Sequence, residues 1–293
     1  MERLLVVGAT GGLGSKLMEL GAGRFEMFGT YNRHAADGRN MVPMDACNRD
    51  GVLKAIKSAK PDCVIDTHAL TNLDYCESHQ EEAWNVNVNG SRNVADACRE
   101  VGCKYIFLST DNVFDGKKAS YSEEDETNPI NHYAKTKVEV ERELASLDID
   151  YVVARTAVVY GTGGMGKVGF VPWIIDKLKS GERIRVVTDQ RNNPTLSDNL
   201  AGLLFGLYEK NATGIFHTTG MECMSRYDFA RETAKAFGLD AALIDPIVSD
   251  ELKQIAPRPK NLNMITEKVR RLTGKSPLSV AEGLAEFKRQ LGS

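Results

Sequence analysis

A short apolar run at residues 4–7 leads directly into Gly8-Ala9-Thr10-Gly11-Gly12-Leu13-Gly14, and a helical run at 15–20 follows. The order strand, glycine turn, helix confines the chain to few folds, because it aims backbone N–H groups and a helix N-terminus at one spot where negative charge is favoured. Gly8 permits a sharp turn, Gly11 and Gly12 let N–H groups approach a pyrophosphate, and Gly14 lets the helix pack close on the strand. The spacing is Gly-x-x-Gly-x-x-Gly, a variant of the dinucleotide fingerprint. A tight strand-to-helix turn without a ligand is the plainer alternative. Its place at the head of an alternating strand and helix pattern favours dinucleotide binding, with Gly8, Thr10, Gly11, Gly12, Leu13 and Gly14 as candidate contacts.

Further strands are expected over 26–31, 40–44, 63–67, 105–108 and 151–156, with helices over 48–59 and 81–101. This is the pattern of an α/β chain with a Rossmann-type, doubly wound parallel sheet. Ligands gather at strand C-termini in such sheets, which singles out Asn32-Arg33, Asp45-Ala46 and His68-Ala69. An acidic residue after the second strand would select NAD. Arg33 stands there instead and suits a 2′-phosphate bidentately, so NADPH is the expected cofactor and NADH the alternative. Asp45 could accept the adenine amino group or cap the helix that follows. His68 reads equally well as a satisfied structural histidine and receives no catalytic role. Asn85, Asn87 and Asn89 have no purpose readable from spacing.

Tyr133 and Lys137 are four residues apart on an expected helix and therefore share a face. An ammonium beside a phenol favours the phenolate, which predicts a proton affinity for Tyr133 below the usual ~10 and makes it a general acid for a carbonyl. A solvated helix face is the plain alternative for this pair taken alone. Ser109 and Thr110 end the fifth strand, where a hydroxyl and the tyrosine of the next helix converge on one crevice and give a donor pair for a developing alkoxide.

The character of the chain changes at the glycine-rich stretch 161–169. The expected division is a dinucleotide-binding lobe over 1–160 and a smaller substrate lobe over 161–293, with strands near 184–187 and 214–218 returning to the first sheet. Ser225 with Asp228, and Ser279 with Glu282, open late helices. The stretch 244–263 carries prolines and is expected to be mostly irregular. Charged residues at 26% and a net charge of −3 argue against a general nucleic-acid binder and require a local cation for an anionic substrate. Arg258 is flanked by Pro257 and Pro259, which stiffen the segment presenting it, and is the candidate for that cation ahead of Lys167 and Lys260. The six cysteines show neither zinc spacing nor a disulfide framework. No apolar run reaches membrane-spanning length, so a cytoplasmic protein with reduced thiols is expected.

Together these segments resemble the extended short-chain dehydrogenase/reductase superfamily, and within it the dTDP-4-dehydrorhamnose reductases. The resemblance is carried by the glycine loop, Ser109-Thr110-Asp111, Val113-Phe114-Asp115-Gly116, Tyr133 with Lys137, Arg155-Thr156, Val159-Tyr160-Gly161, Asp189-Gln190, Pro194-Thr195 and Arg258-Pro259. It implies a catalytic triad of Thr110, Tyr133 and Lys137, with Tyr133 and Lys137 also touching NADPH. It further implies a substrate site that includes Thr110, Asn112, Tyr133 and Arg258, and reduction of a 4-keto-6-deoxy nucleotide sugar toward dTDP-L-rhamnose. Asn112 and Val158 stand where the family has tyrosine and tryptophan, at positions lining the sugar, which leaves the sugar open. Asn112 also replaces the glutamate that a related dehydratase family uses, which argues against dehydration. Two other readings stay open: a non-catalytic subunit similar to the beta subunit of methionine adenosyltransferase, and another nucleotide-sugar reductase or epimerase. The partners expected are a nucleotide sugar and at most a second copy of the chain, with no nucleic acid and no membrane.

Overall fold

The computed structural model describes residues 1–32, 38, 40–164 and 169–292, so Arg33 and Lys167 lie outside the described residues. In chain order the strands are β1 Arg3–Val7, β2 Glu26–Tyr31, β3 Met41–Pro43, β4 Cys63–Asp66, β5 Lys104–Thr110, β6 Tyr151–Thr156, β7 Val159–Tyr160, β8 Ile184–Val187, β9 Arg191–Asn192, β10 Thr195–Leu196, β11 Gly214–His217, β12 Met224–Ser225 and β13 Ile244–Ile247. The helices are α1 Gly12–Gly21, α2 Arg49–Ala59, α3 Leu73–Ser78, α4 Gln80–Trp84, α5 Gly90–Val101, α6 His132–Ser146, α7 Phe170–Lys179, α8 Ser197–Glu209, α9 Arg226–Phe237, α10 Glu267–Thr273 and α11 Val280–Gln290.

A seven-stranded sheet in the order β11-β6-β5-β4-β1-β2-β3 forms the centre, and every pairing in it is parallel. Val6 lies between Gly29 and Ile65, and Ile106 between Ile65 and Val152. Runs such as Leu4-Leu5-Val6-Val7 are apolar at every position because both faces of a parallel sheet are covered. One face packs Leu4, Val6 and Ile106 against Leu17 of α1 and Leu200, Leu204 and Phe205 of α8. The other packs Leu5, Val7 and Phe107 against Val52 and Ile56 of α2, Val94 of α5 and Leu144 of α6. Full burial of such side chains is worth about 1.5–3 kcal/mol each. Strand order reverses between β1 and β4, which opens a crevice beyond their C-terminal ends.

Two expectations need correction. Of the strands expected to rejoin the large sheet, β11 pairs with β6, whereas β8 pairs with β13 in a small parallel sheet of its own. There Ile184 and Val186 face Ile174, Ala230 and Ile244, an apolar cluster that the central sheet cannot supply to this segment. The stretch from residue 244 is thus regular at its start. The single helix expected over 81–101 is broken as well. A π turn, Asn85–Asn89, separates α4 from α5, and Asn87 there is fully buried and turned away from the helix toward Leu70. Among the described residues no helix is long and apolar enough to cross a membrane.

Candidate active site

The glycine loop joins β1 to α1 at the crevice. Gly8 sits at φ +80°, where a side chain is strained, and its N–H donates to Thr30 Oγ1 at 3.3 Å. A Cβ on Gly14 would lie 2.2 Å from the Gly8 carbonyl oxygen, so the close approach of helix and loop admits only glycine. Gly11 is the N-cap of α1 and offers no side chain to its first N–H groups, which leaves them for an anion. A dinucleotide pyrophosphate fits this cradle. Asn32 is exposed at the end of β2. Asp45 accepts the Cys47 N–H at 3.0 Å, and the cap of α2 is made by Asn48, which accepts from Gly51. Of the two roles open to Asp45, capping is therefore taken by another residue. Ala46 is buried, and its carbonyl accepts from Asn93 at 2.9 Å.

Beyond β4 the backbone carrying Ala69 is clamped from two sides. His68 Nδ1 meets Asp66 Oδ1 at 2.5 Å and Nε2 meets the Val86 carbonyl at 3.1 Å, so both ring nitrogens are engaged by the protein. Burial opposes the charged imidazole, yet the adjacent Asp66 carboxylate outweighs it and raises the His68 pKa. Asn87 accepts from Leu70 N–H at 2.8 Å and donates to the Leu70 carbonyl at 3.1 Å and to Thr136 Oγ1 at 3.2 Å. It links the strand-end loop to α6. Sequence reading missed this role, although an asparagine between Val86 and Val88 on a core-facing helix was the available signal.

Thr110 and Tyr133 come together, and Lys137 lies one turn further along α6. Asn131 caps α6 by accepting from Ala134 at 2.9 Å, and its amide donates to the Pro257 carbonyl at 3.1 Å and lies 3.5 Å from Asn112 Oδ1. This fixes the start of the helix against the 256–259 segment. Tyr133 is buried against Cys76 and Ala83, with the Thr110 side chain near enough to its hydroxyl to act on it. Burial, and then the Asp111 carboxylate, raise the Tyr133 pKa well above its ordinary value, while Thr110 acts in the opposite sense. The depressed pKa expected from Lys137 is thereby corrected. The Lys137 ammonium donates instead to the Leu108 carbonyl at 2.9 Å and lies 4.5 Å from the centre of the Phe107 ring. Burial pulls the Lys137 pKa down to about 8 against the opposing pull of Asp66 and Glu141. The phenol thus holds its proton in the isolated protein, as a proton donor must.

Asp111 follows Thr110 and is buried. Its Oδ1 accepts from Thr110 at 3.1 Å and from Asn112 Nδ2 at 2.8 Å, while Oδ2 has no hydrogen-bond partner among the described residues. Burial raises its pKa to about 6, against the hydrogen bonds from Asn112 and Thr110 and the charge of Arg226. Beside Asn112 opens a cavity of about 410 Å³ bordered by Phe170, Trp173, Gln190, Arg226 and Arg258. Arg258 is held there by Asp74 at 3.0 Å and by its own loop, through the Ala256 carbonyl at 2.6 Å. Lys260 is paired with Asp189. Val158 adopts φ +37°, an outlier for a β-branched residue, and its carbonyl accepts from Thr195 at 3.1 Å. A larger cavity, about 660 Å³, lies at the opposite end of the sheet by Asp62 and Lys104 and includes none of the candidate residues. Among the described residues no cluster of His, Cys, Asp and Glu could hold a metal ion.

Known proteins resemble this chain over nearly its whole length. A dTDP-4-dehydrorhamnose reductase of Aggregatibacter actinomycetemcomitans is 32% identical, over 94% of this chain and 95% of that protein. The crystal structure of a dTDP-4-dehydrorhamnose reductase from Bacillus anthracis str. Ames in complex with NADP superposes with a TM-score of 0.89 at 28% identity, covering 99% of each chain. Methionine adenosyltransferase 2 subunit beta of Bos taurus is 30% identical, over 90% of this chain and 80% of that protein. The family described as RmlD substrate binding domain matches residues 1–292, essentially the whole length over which the crevice, the Thr110–Tyr133–Lys137 cluster and the arginine-bordered cavity are built, and the chain belongs to that family.

Proposed function

We propose that the protein reduces the 4-keto group of a 6-deoxy nucleotide sugar, dTDP-4-dehydrorhamnose being the substrate to try first, with NADPH as reductant. The observation that carries this reading is the buried Tyr133 phenol, its pKa raised by burial, beside Thr110, with Asn112 two residues further on bordering the 410 Å³ cavity. NADPH, when bound, supplies the hydride that reduces the carbonyl carbon. Tyr133 gives its proton to the carbonyl oxygen as negative charge develops there, yielding the alcohol, and Thr110 orients both phenol and substrate oxygen. Lys137, with further donors beyond the one spent on Leu108, holds cofactor ribose hydroxyls and restores charge balance as the phenol loses its proton. The loop residues Gly8, Thr10, Gly11, Gly12, Leu13 and Gly14 hold the pyrophosphate. Asn32 and Arg33 hold the adenosine phosphate, Asp45 and Ala46 the adenine, and Ala69 flanks the cofactor. Asn112 and Arg258 belong to the substrate site. We assign residues 1–160 chiefly to cofactor and 161–293 chiefly to substrate, and place the enzyme in the cytoplasm, as a monomer or homodimer.

A non-catalytic cofactor-binding subunit is the second reading, favoured by the similarity to the methionine adenosyltransferase subunit. Pure protein mixed with NADPH and dTDP-4-dehydrorhamnose separates the two. Oxidation of NADPH in step with sugar reduction is expected, and NADPH binding without any turnover on 4-keto nucleotide sugars would refute the enzymatic reading.

A further inference from the structure

Three arginines border the cavity beside Asn112, and their charges are matched unequally. Arg185 is paired with Glu251 at 2.6 Å, and Arg258 with Asp74 at 3.0 Å. Arg226 has no carboxylate within 4.0 Å and no side-chain hydrogen bond among the described residues; its guanidinium carbon lies 5.0 Å from the centre of the Phe170 ring. Its setting is otherwise adverse. It is the first residue of α9, the end of a helix where a cation is disfavoured. It is half-buried, burial opposes its charge, and Arg258 adds like-charge repulsion, while Asp111 is the carboxylate whose field acts on it from a distance. A half-buried cation at a helix N-terminus and beside another cation is stabilised when an anion completes the site. The N–H groups of Arg226 and Asp228 are taken by the Gln190 carbonyl and Ser225 Oγ, so the fork of the guanidinium carries the recognition, and the ligand it favours is a phosphate.

We propose that Arg226 binds the diphosphate of the nucleotide substrate as its principal cation, with Arg258, already held by Asp74, in a supporting place. This rests on the nucleotide-sugar reading above and adds a residue to it that sequence reading passed over. Arg226 borders the same cavity as Asn112, which follows Thr110 by two residues, so a phosphate bound there lets the attached sugar reach toward Thr110 and Tyr133.

The test is titration calorimetry on the full chain with thymidine diphosphate, uridine diphosphate, thymidine and NADPH, for wild type, Arg226→Gln and Arg226→Lys. The expected result is a tenfold or greater loss of nucleoside diphosphate affinity in Arg226→Gln, partial recovery in Arg226→Lys, and unchanged thymidine and NADPH binding. The melting temperature of Arg226→Gln should equal or exceed that of wild type, since the change removes an unmatched cation. Undiminished diphosphate affinity overturns the proposal. So does an equal loss for thymidine, which would mean a damaged pocket, or a loss confined to NADPH, which would put Arg226 in the cofactor site. A wild type that binds NADPH but neither diphosphate overturns the nucleotide-sugar reading itself.

Discussion

Glu141 and Arg155 form a buried ion pair, Oε2 to Nη2 at 2.6 Å, one helical turn beyond Lys137. Ser109 donates to Glu141 Oε1 at 2.5 Å, and the Arg155 guanidinium lies 5.1 Å from the centre of the Phe114 ring. The pair pins α6 to β5 and β6, so the positions of Tyr133 and Thr110 depend on it. Glu141→Gln leaves a buried guanidinium without its counter-charge and should destabilise the protein by about 3–5 kcal/mol. Urea unfolding of the two proteins measures this; a loss below about 1 kcal/mol would show that the pair is not holding the helix.

Tyr133→Phe removes a donor that acts only as the carbonyl oxygen gains charge. Turnover should fall by about 10²–10⁴-fold or more while NADPH affinity stays nearly unchanged. Single-turnover kinetics alongside a cofactor titration check both halves. Near wild-type kcat would assign the proton to another group.

Lys137 sets a pH signature. Its folded pKa of about 8 lies below the unfolded 10.5, so the unfolded chain binds more protons between those values and stability gains with pH across that window. Relative to Lys137→Met, the cofactor-free wild type should gain on the order of 3 kcal/mol from pH ~8 to ~10.5. Denaturant melts at a series of pH values test this, and a flat difference would place the ammonium in water. Activity should run the other way, declining above pH ~8 as the ammonium is lost, with cofactor phosphates moving that limb upward.

Gly14→Ala forces a Cβ to within 2.2 Å of the Gly8 carbonyl oxygen, a contact only a shift of the loop can relieve. NADPH affinity should drop at least tenfold, with a stability loss of about 1–3 kcal/mol. Unchanged affinity would mean that the loop does not seat the pyrophosphate.

Arg33→Ala should erase much of a preference for NADPH over NADH, because one charge-assisted contact is worth about 1.5–3 kcal/mol. Equal affinities of the wild type for the two cofactors would remove Arg33 from the site.

Much of the large sheet was readable because its signals are local: apolar strands, a glycine turn and capped helices. Ile184–Val187 shows the limit. Three apolar residues around one exposed arginine read the same whichever sheet they join, and the partner, Ile244–Ile247, lies 60 positions away in register. The Tyr133–Lys137 pair shows a second limit. Spacing places two residues on one helix face, but the solvation of the phenol and the turn of the ammonium to the Leu108 carbonyl depend on β5, which packs from elsewhere in the chain. Arg226 escaped notice because an arginine after an N-cap serine looks like any solvated helix start until the cavity it borders is seen.

The return of α8 and β11 to the large sheet has a consequence for folding. Leu200, Ala201, Leu203, Leu204, Phe205 and Leu207 of α8 are fully buried in the layer that covers β1 and β5, and β11 closes the edge of β6. A fragment ending at residue 160 would lack both, leaving an apolar sheet face bare and an open strand edge prone to pairing with other chains. The sheet begun by residues 1–160 is not completed until the chain has passed through β8 to β10 and come back with α8 and β11. Residues 1–160 and 161–293 are therefore bound into one cooperative unit, and heating should unfold the protein in a single transition, with NADPH alone protecting residues 161–293 from proteolysis.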